Sequence, residues 1–317
     1  MKKLLSIIVP MYNEEEMIPL FFERINETLK KIPDFNKEIV CINDGSKDKT
    51  LEILKKMKVS QPNIHIVSFS RNFGHEAAVA AGFKCAQGDV MIVMDADLQD
   101  PPEVMLDLID KYNEGYDVVN AKRVDRRKDS FLKRKTAEWY YKLITKLSGK
   151  IRVPENVGNY RLMTRKIVDV INSLPEKNRV FRVLVPYAGF KVATVDFVRQ
   201  ERPAGKTHYN YKNMFNLAGD SIVASTTNPL KWIFMAGIAT NALAIFGLII
   251  DLVLSIIDWT SPTISWMWPL GIYSIIMFGL LFTSIILIAI GIIGEYMARM
   301  VIDTKGRPVY IIEEEIK

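Results

Sequence analysis

Val90-Met91-Ile92-Val93-Met94-Asp95-Ala96-Asp97-Leu98-Gln99-Asp100-Pro101-Pro102-Glu103 passes without a break from an apolar run into three carboxylates and a pair of prolines. A short run rich in Val and Ile, bounded by turn residues, reads as a strand buried on both faces. The prolines suit the start of a helix, where a missing N–H costs nothing. Similar runs occur at residues 4–9, 39–42, 64–69 and 118–120, and helical periodicity follows all but the last, over residues 17–31, 49–58, 76–86 and 103–114. That alternation predicts an α/β domain with a parallel sheet and helices on its faces. In such sheets ligands bind beyond the carboxyl ends of the strands, and the polar motifs fall there. The first strand is followed by Pro10-Met11-Tyr12-Asn13-Glu14 and not by a glycine-rich turn, which disfavours a dinucleotide-binding domain.

Two carboxylates at i and i+2 on the turn leaving a buried strand can face one pocket. Their hard oxygens suit Mg2+ or Mn2+, an ion that substrate phosphates and water would complete. The competing reading of Asp95-Ala96-Asp97 is a solvated acidic turn or helix cap. For Asp44, in Asn43-Asp44-Gly45-Ser46, the competing reading is an ordinary turn residue, and for Asn13-Glu14 a helix cap.

The 317 residues carry 42 basic and 36 acidic side chains, yet between Trp232 and Gly294 the only charges are Asp251 and Asp258. Residues 233–257 and 267–294 each exceed the roughly 20 apolar residues that span a bilayer as a helix. This composition excludes a wholly soluble enzyme, a disordered chain and a many-span transporter. The connector 258–265 lacks Lys and Arg, whereas Lys231 precedes the first span and Arg299, Lys305 and Arg307 follow the second, which predicts both termini in the cytosol. Trp232, Trp259, Trp266 and Trp268 lie at the span ends, where indoles favour the interface. Asp251 lies near the outer end of its span, within reach of headgroups. No signal peptide is expected ahead of the first strand, and Cys41 and Cys85 read as reduced, packed residues.

Ile8-Val9-Pro10-Met11-Tyr12-Asn13-Glu14, Asn43-Asp44-Gly45-Ser46, Ser70-Arg71-Asn72-Phe73-Gly74-His75 and the Asp95 to Pro102 segment together resemble an inverting family 2 glycosyltransferase with the GT-A, Rossmann-like fold. The Leu98-Gln99-Asp100-Pro101-Pro102 tail, Gly158-Asn159-Tyr160-Arg161-Leu162, Arg202-Pro203-Ala204-Gly205 and the two spans look like its polyprenyl-phosphate branch, which includes bactoprenol glucosyltransferases and dolichol-phosphate mannose synthases. The resemblance implies a cytosolic GT-A catalytic domain over residues 1–210 and an interfacial amphipathic helix over 211–231. It further implies two transmembrane helices within 232–296 and a cytosolic tail, 297–317, in which Arg307-Pro308-Val309-Tyr310-Ile311-Ile312 reads as a short strand that could pair with a neighbouring subunit. Homo-oligomers, including tetramers, occur among such relatives. Pro10, Tyr12, Glu14, Asp44 and Arg71 would hold the base and ribose of a nucleotide sugar, with UDP-glucose the first choice. Asp95, Asp97 and Gln99 would hold Mg2+ or Mn2+ on its diphosphate, Asp95 facing both. The acceptor would be polyprenyl phosphate, undecaprenyl phosphate first, on the cytosolic leaflet of the inner or plasma membrane, and inversion would give a β-linked product.

An acceptor phosphate calls for cations, and the basic stretch from Lys122 to Lys135 supplies Arg123, Arg126 and Arg134. A solvated basic loop or general attraction to anionic lipid competes with that role. Arg202 and His208 form a second candidate cluster; relatives usually carry Lys where His208 stands, and an imidazole, unlike lysine, loses its charge as pH rises, which would weaken this contact. Nucleic acid is a poor partner, since no base-reading module accompanies the basic run. One departure stands at Asn159, where the branch usually has a candidate catalytic Asp. Asn cannot take a proton, so either an ionised phosphate nucleophile tolerates the change or the residue has been altered to trap substrate. The competing identities are a GDP-mannose-dependent dolichol-phosphate mannose synthase and a non-catalytic membrane scaffold with a degenerate transferase domain.

Overall fold

The computed structural model describes residues 2–124, 154, 156–177, 179–200, 233, 235, 237–240, 242, 246 and 268–317. The chain divides into two compact units, Met1–Ser225 with Arg307–Lys317, and Thr226–Gly306. The expected amphipathic helix at 211–231 lies outside the described residues, as do Asp251, Trp232, Trp259, Trp266 and most of the first span.

The first unit is one eight-stranded sheet between two layers of helices. Strands β1 (Lys3–Met11), β2 (Phe35–Asn43), β3 (Ile64–Phe69) and β4 (Val90–Val93) alternate with helices α1 (Met17–Lys30), α2 (Thr50–Ser60), α3 (His75–Cys85) and α4 (Val104–Asn113). Then come β5 (Val118–Arg123), β6 (Val157–Thr164), α5 (Arg165–Ser173), α6 (Phe181–Tyr187) and β7 (Val192–Phe197), and β8 (Ile312–Ile316) closes the far edge. The order is β7-β5-β6-β4-β1-β2-β3-β8. Because side chains alternate along a strand, Ile7, Val9, Ile39, Cys41 and Ile66 pack with α1, α2 and α4 on one face. Ile8, Val40, Ile42 and Val67 pack with α3, α5 and α6 on the other. Both faces are apolar, which is why these strands read as continuous hydrophobic runs. Helix α3 is built from Ala77, Ala78, Ala80, Ala81 and Gly82, and a Cβ on Gly82 would overlap the Ile8 side chain. Small residues thus set how closely α3 lies on β1.

Strands β1 to β4 are parallel where they pair, as the alternation predicts, but the whole sheet is mixed. Strand β6 runs antiparallel between β4 and β5, and β8 antiparallel to β3. An antiparallel neighbour needs no face-covering crossover, whereas the parallel returns among β1 to β4 use α1, α2 and α3. The tail strand also departs from expectation. It begins at Ile312, after the Arg307-to-Ile312 stretch where it was expected, and pairs within its own chain. Tyr310 stacks on Phe69 with ring centroids 5.0 Å apart, His65 Nε2 lies 2.9 Å from Glu315 Oε1, and Lys55 pairs with Glu314 at 2.6 Å. An apolar stack, a histidine–carboxylate contact and an ion pair occupy that edge.

In the second unit, helix α7 (Trp268–Thr304) runs ten residues beyond the expected end at Gly294 and stops where Gly306 takes φ +63°. Its window Leu281–Ala298 has a mean hydropathy of 2.0. Ile286, Leu287 and Ile288 on it are exposed, so this stretch is long and apolar enough to cross a membrane.

Candidate functional site

In the order β3-β2-β1-β4 the chain reverses direction across the sheet between β1 and β4, and the crevice of an open α/β sheet opens at such a switch, beyond the strands' carboxyl ends. The segments after β1 and β4 are Pro10 to Glu14 and Asp95 to Asp100.

The loops after β1, β2 and β3 are laced together. Asn13 sits at φ 53°, a conformation Asn tolerates, which lets its N–H donate to Ser46 Oγ at 3.0 Å and its Oδ1 accept from Lys47 N at 2.9 Å. Glu14 N donates to Thr50 Oγ1, and Glu15 N to Asp48 Oδ2. Asp44 is buried, and its carboxylate oxygens accept the N–H groups of Phe73 at 2.7 Å and Gly74 at 2.9 Å. Burial raises the Asp44 carboxyl above the ordinary value, against the pull of those two N–H groups, His75 and Arg71. Gly45 takes φ +63°, and a Cβ there would overlap the backbone of Arg71 and Asn72. Asp44-Gly45 is therefore the cradle of the Ser70-to-His75 loop. Arg71 is exposed, its guanidinium 4.0 Å from the Phe73 ring centroid.

The loop after β4 holds Leu98 at φ 55°, a left-handed turn in which Gln99 N donates to Asp97 Oδ1 at 3.1 Å. Asp95 is half-buried, with His75 Nε2 3.8 Å from its Oδ1. Among the described residues no three His, Cys, Asp or Glu side chains gather as a complete metal site. Asp95, Asp97 and the Gln99 amide form a small set of hard oxygen donors, which leaves most of an octahedron to other ligands.

Asn159, on β6, faces this loop through His75. Its Nδ2 lies 2.8 Å from His75 Nε2 and 3.5 Å from Glu76 Oε1. Asn159 Oδ1 and Glu76 Oε2 are buried without a hydrogen-bond partner among the described residues. His75 and Glu76 carry no role in the sequence reading. Their signal was position, directly after Gly74, which at φ 98° turns the chain into the first turn of α3.

Arg123 lies beside the end of the acidic loop. Its Nη2 lies 3.3 Å from both oxygens of Asp100, and Arg199 Nε lies 3.8 Å from the same carboxylate. A buried carboxylate attracts the nearest available cations, so this end of the basic stretch is folded inward. Burial pushes the Asp100 carboxyl up to about 6 against the pull of Arg123, and Asp95 and Asp97 push the same way. Asp100 stands in the quoted motif without an assigned role, and Arg199 is not distinguished by the sequence pattern. Arg126, Arg134, Arg202 and His208 lie outside the described residues.

Residues 6–171 match the family described as glycosyl transferase family 2. The chain is 42% identical to a prophage bactoprenol glucosyl transferase homolog of Escherichia coli (strain K12), over 98% of each chain. It is 41% identical to the bactoprenol glucosyl transferase of Shigella phage SfV, again over 98% of each. Identity is also 41% to the uncharacterized glycosyltransferase YkcC of Bacillus subtilis (strain 168), over 98% of this chain and 93% of that one. The chain belongs to glycosyl transferase family 2, and its mixed α/β sheet is the GT-A-like fold that the sequence motifs imply.

Proposed function

We propose that this chain transfers one glucosyl unit from UDP-glucose to undecaprenyl phosphate on the cytosolic leaflet, with inversion, giving a β-linked lipid phosphate sugar. The carrying observation is the identity to bactoprenol glucosyl transferases across almost the whole chain, apolar segments included. Pro10, Tyr12, Glu14, Asp44 and Arg71 hold the nucleoside, and Asp44 acts by shaping the Ser70-to-His75 loop. Asp95, Asp97 and Gln99 hold Mg2+ or Mn2+, which neutralises charge developing on the leaving diphosphate. Their small number fits an ion completed by that diphosphate. Asn159 orients the acceptor side through His75.

The acceptor phosphate has its second pKa near 6 and is largely ionised at neutral pH. Its oxygen attacks the anomeric carbon from the face opposite UDP; the new C–O bond forms as the old one breaks, and UDP leaves with the electron pair. No proton must move, so Asn159 need not be a base. Positioning and charge neutralisation carry the rate. Two transmembrane helices, at 233–257 and 267–294 with the second continuing along α7, anchor the chain with its catalytic domain and termini cytosolic. It works as a homo-oligomer.

Radiolabelled transfer to undecaprenyl phosphate in detergent, from UDP-glucose, UDP-N-acetylglucosamine and GDP-mannose with Mn2+ or EDTA, tests the reading. A glycolipid from UDP-glucose alone, lost in EDTA, is expected. Product from GDP-mannose instead makes the chain a mannose synthase, and silence from every donor despite UDP binding favours a scaffold.

A further inference from the structure

The ionic cluster behind the acidic loop has more cation than it needs. Asp100 is 2% exposed, whereas Arg123 and Arg199 beside it are 27% and 37% exposed. The anion is inside, and both arginine side chains are only partly buried. Counted against Asp100 alone, the two arginines leave one positive charge over, which Asp95 and Asp97 nearby offset until they hold a divalent cation. Contacts of 3.3 and 3.8 Å are also long for charge-assisted hydrogen bonds, which close to about 2.7–2.9 Å. Asp100 therefore gathers the arginines without saturating their donors, and Arg123 Nε is buried without a hydrogen-bond partner among the described residues.

The backbone explains why these two arginines meet. Strands β5 and β7 are parallel neighbours with Arg123 opposite Phe197, so Arg123 and Arg199 leave adjacent strands at the same end. Val124 N donates to Phe197 O at 3.0 Å, and Gln200 N donates to Gln99 O at 2.9 Å. The segment carrying Arg199 is thereby tied to the loop carrying Asp97 and Gln99. Cation pair and acidic loop keep a fixed separation, as a reaction between two phosphate-bearing substrates requires.

We propose that Asp100 is a positioning residue that sets Arg123 and Arg199 as a paired guanidinium seat for the phosphate of the lipid acceptor, with Arg199 a ligand of that phosphate. This rests on the proposed lipid-phosphate acceptor. A phosphate monoester offers three oxygens to two guanidinium forks and meets the surplus charge that Asp100 alone leaves.

The test uses the full chain in detergent, with Arg199→Gln, Arg199→Lys, Asp100→Asn and the Asp100→Asn/Arg199→Gln double variant. Binding of undecaprenyl phosphate is followed in EDTA by tryptophan fluorescence, and KM is measured for both substrates in metal. Arg199→Gln should raise the acceptor Kd and KM by about tenfold while the UDP-glucose KM moves less than about twofold. Arg199→Lys should recover only part, since lysine supplies charge without the fork. Asp100→Asn should act in the same direction, and the double variant should fall short of the product of the singles, because both residues serve one seat. An Arg199→Gln protein with wild-type acceptor binding, or with both KM values raised together, overturns the proposal; because Arg199 also faces the buried Asp100, Arg199→Lys, which keeps the charge there, serves as the folded control. A wild-type chain that binds undecaprenyl phosphate but transfers no sugar defeats the proposed function while the EDTA binding series still decides this inference.

Discussion

The two sides of the crevice are held by different chemistry. On the side of β1, β2 and β3, the loops are joined by short contacts in which backbone N–H groups donate to Ser46, Asp48, Thr50 and Asp44. On the side of β5, β6 and β7, charge does the joining: Asp100 with Arg123 and Arg199, and Asn159 between His75 and Glu76. Backbone hydrogen bonds are directional and fix a loop's shape before any ligand arrives. Charge clusters with spare donors can be redistributed by a second anion. The side proposed for the nucleotide is thus preshaped, and the side proposed for the acceptor has donors left to exchange partners.

The largest effect should come where the sides meet. Asp95→Asn or Asp97→Asn should lower the rate of transfer by at least about a hundredfold, the scale of losing a group that meets charge in the transition state. UDP binding in EDTA and thermal unfolding should change little, because both positions are at least partly exposed. A mild rate loss would mean that the loop after β4 is only an acidic turn.

Striking the preshaped side alone should separate shape from chemistry. Gly45→Ala places a Cβ against the Arg71 and Asn72 backbone at φ +63°. The combined strain and overlap should cost about 3 kcal/mol of stability by denaturant unfolding. Because the Arg71 loop must shift, UDP affinity by calorimetry should fall with it, and unchanged affinity would detach Asp44-Gly45 from the nucleotide. On the acceptor side, Asn159→Asp should raise turnover, by less than about tenfold since an ionised nucleophile needs no base. It should also lower the melting temperature, because it sets a second carboxylate beside Glu76. An unchanged or lower rate would leave Asn159 a positioning role through His75 and no catalytic one.

How much was legible follows the same division. Strands β1 to β4 and helices α1 to α4 could be read because each strand is buried on both faces and each helix follows at once, so composition alone marks them. Strand β6 could not: Val157-Gly158-Asn159-Tyr160-Arg161 looks polar. Arg161 is nonetheless buried, its guanidinium held by the carbonyls of Gly158 at 2.6 Å and Phe181 at 3.4 Å. Strand β7 hides for the opposite reason, since most of its residues up to Phe197 are not fully buried. The acidic loop was found from spacing, but the partner of its third carboxylate was not. Arg123 lies near Asp100 because β6 pairs with both β4 and β5, a long-range fact that no local pattern encodes.

The smallest predicted effect asks whether the preshaped side carries a hidden electrostatic cost. Asp44 accepts two N–H groups, yet burial outweighs them and its carboxyl lies above the ordinary 3.8. A carboxyl raised in the native state binds its proton there before the unfolded chain does. The ionised form is therefore a burden at neutral pH, relieved as pH falls through the raised native value towards 3.8. Stability of the wild type relative to Asp44→Asn, which cannot titrate, should rise over that interval. Melting temperatures of both proteins at pH 7.5 and in steps down past 3.8 measure it. A difference between them that is flat with pH would mean that the two N–H groups of the Ser70-to-His75 loop fully offset the burial. The nucleotide side would then be as comfortable electrostatically as it is geometrically.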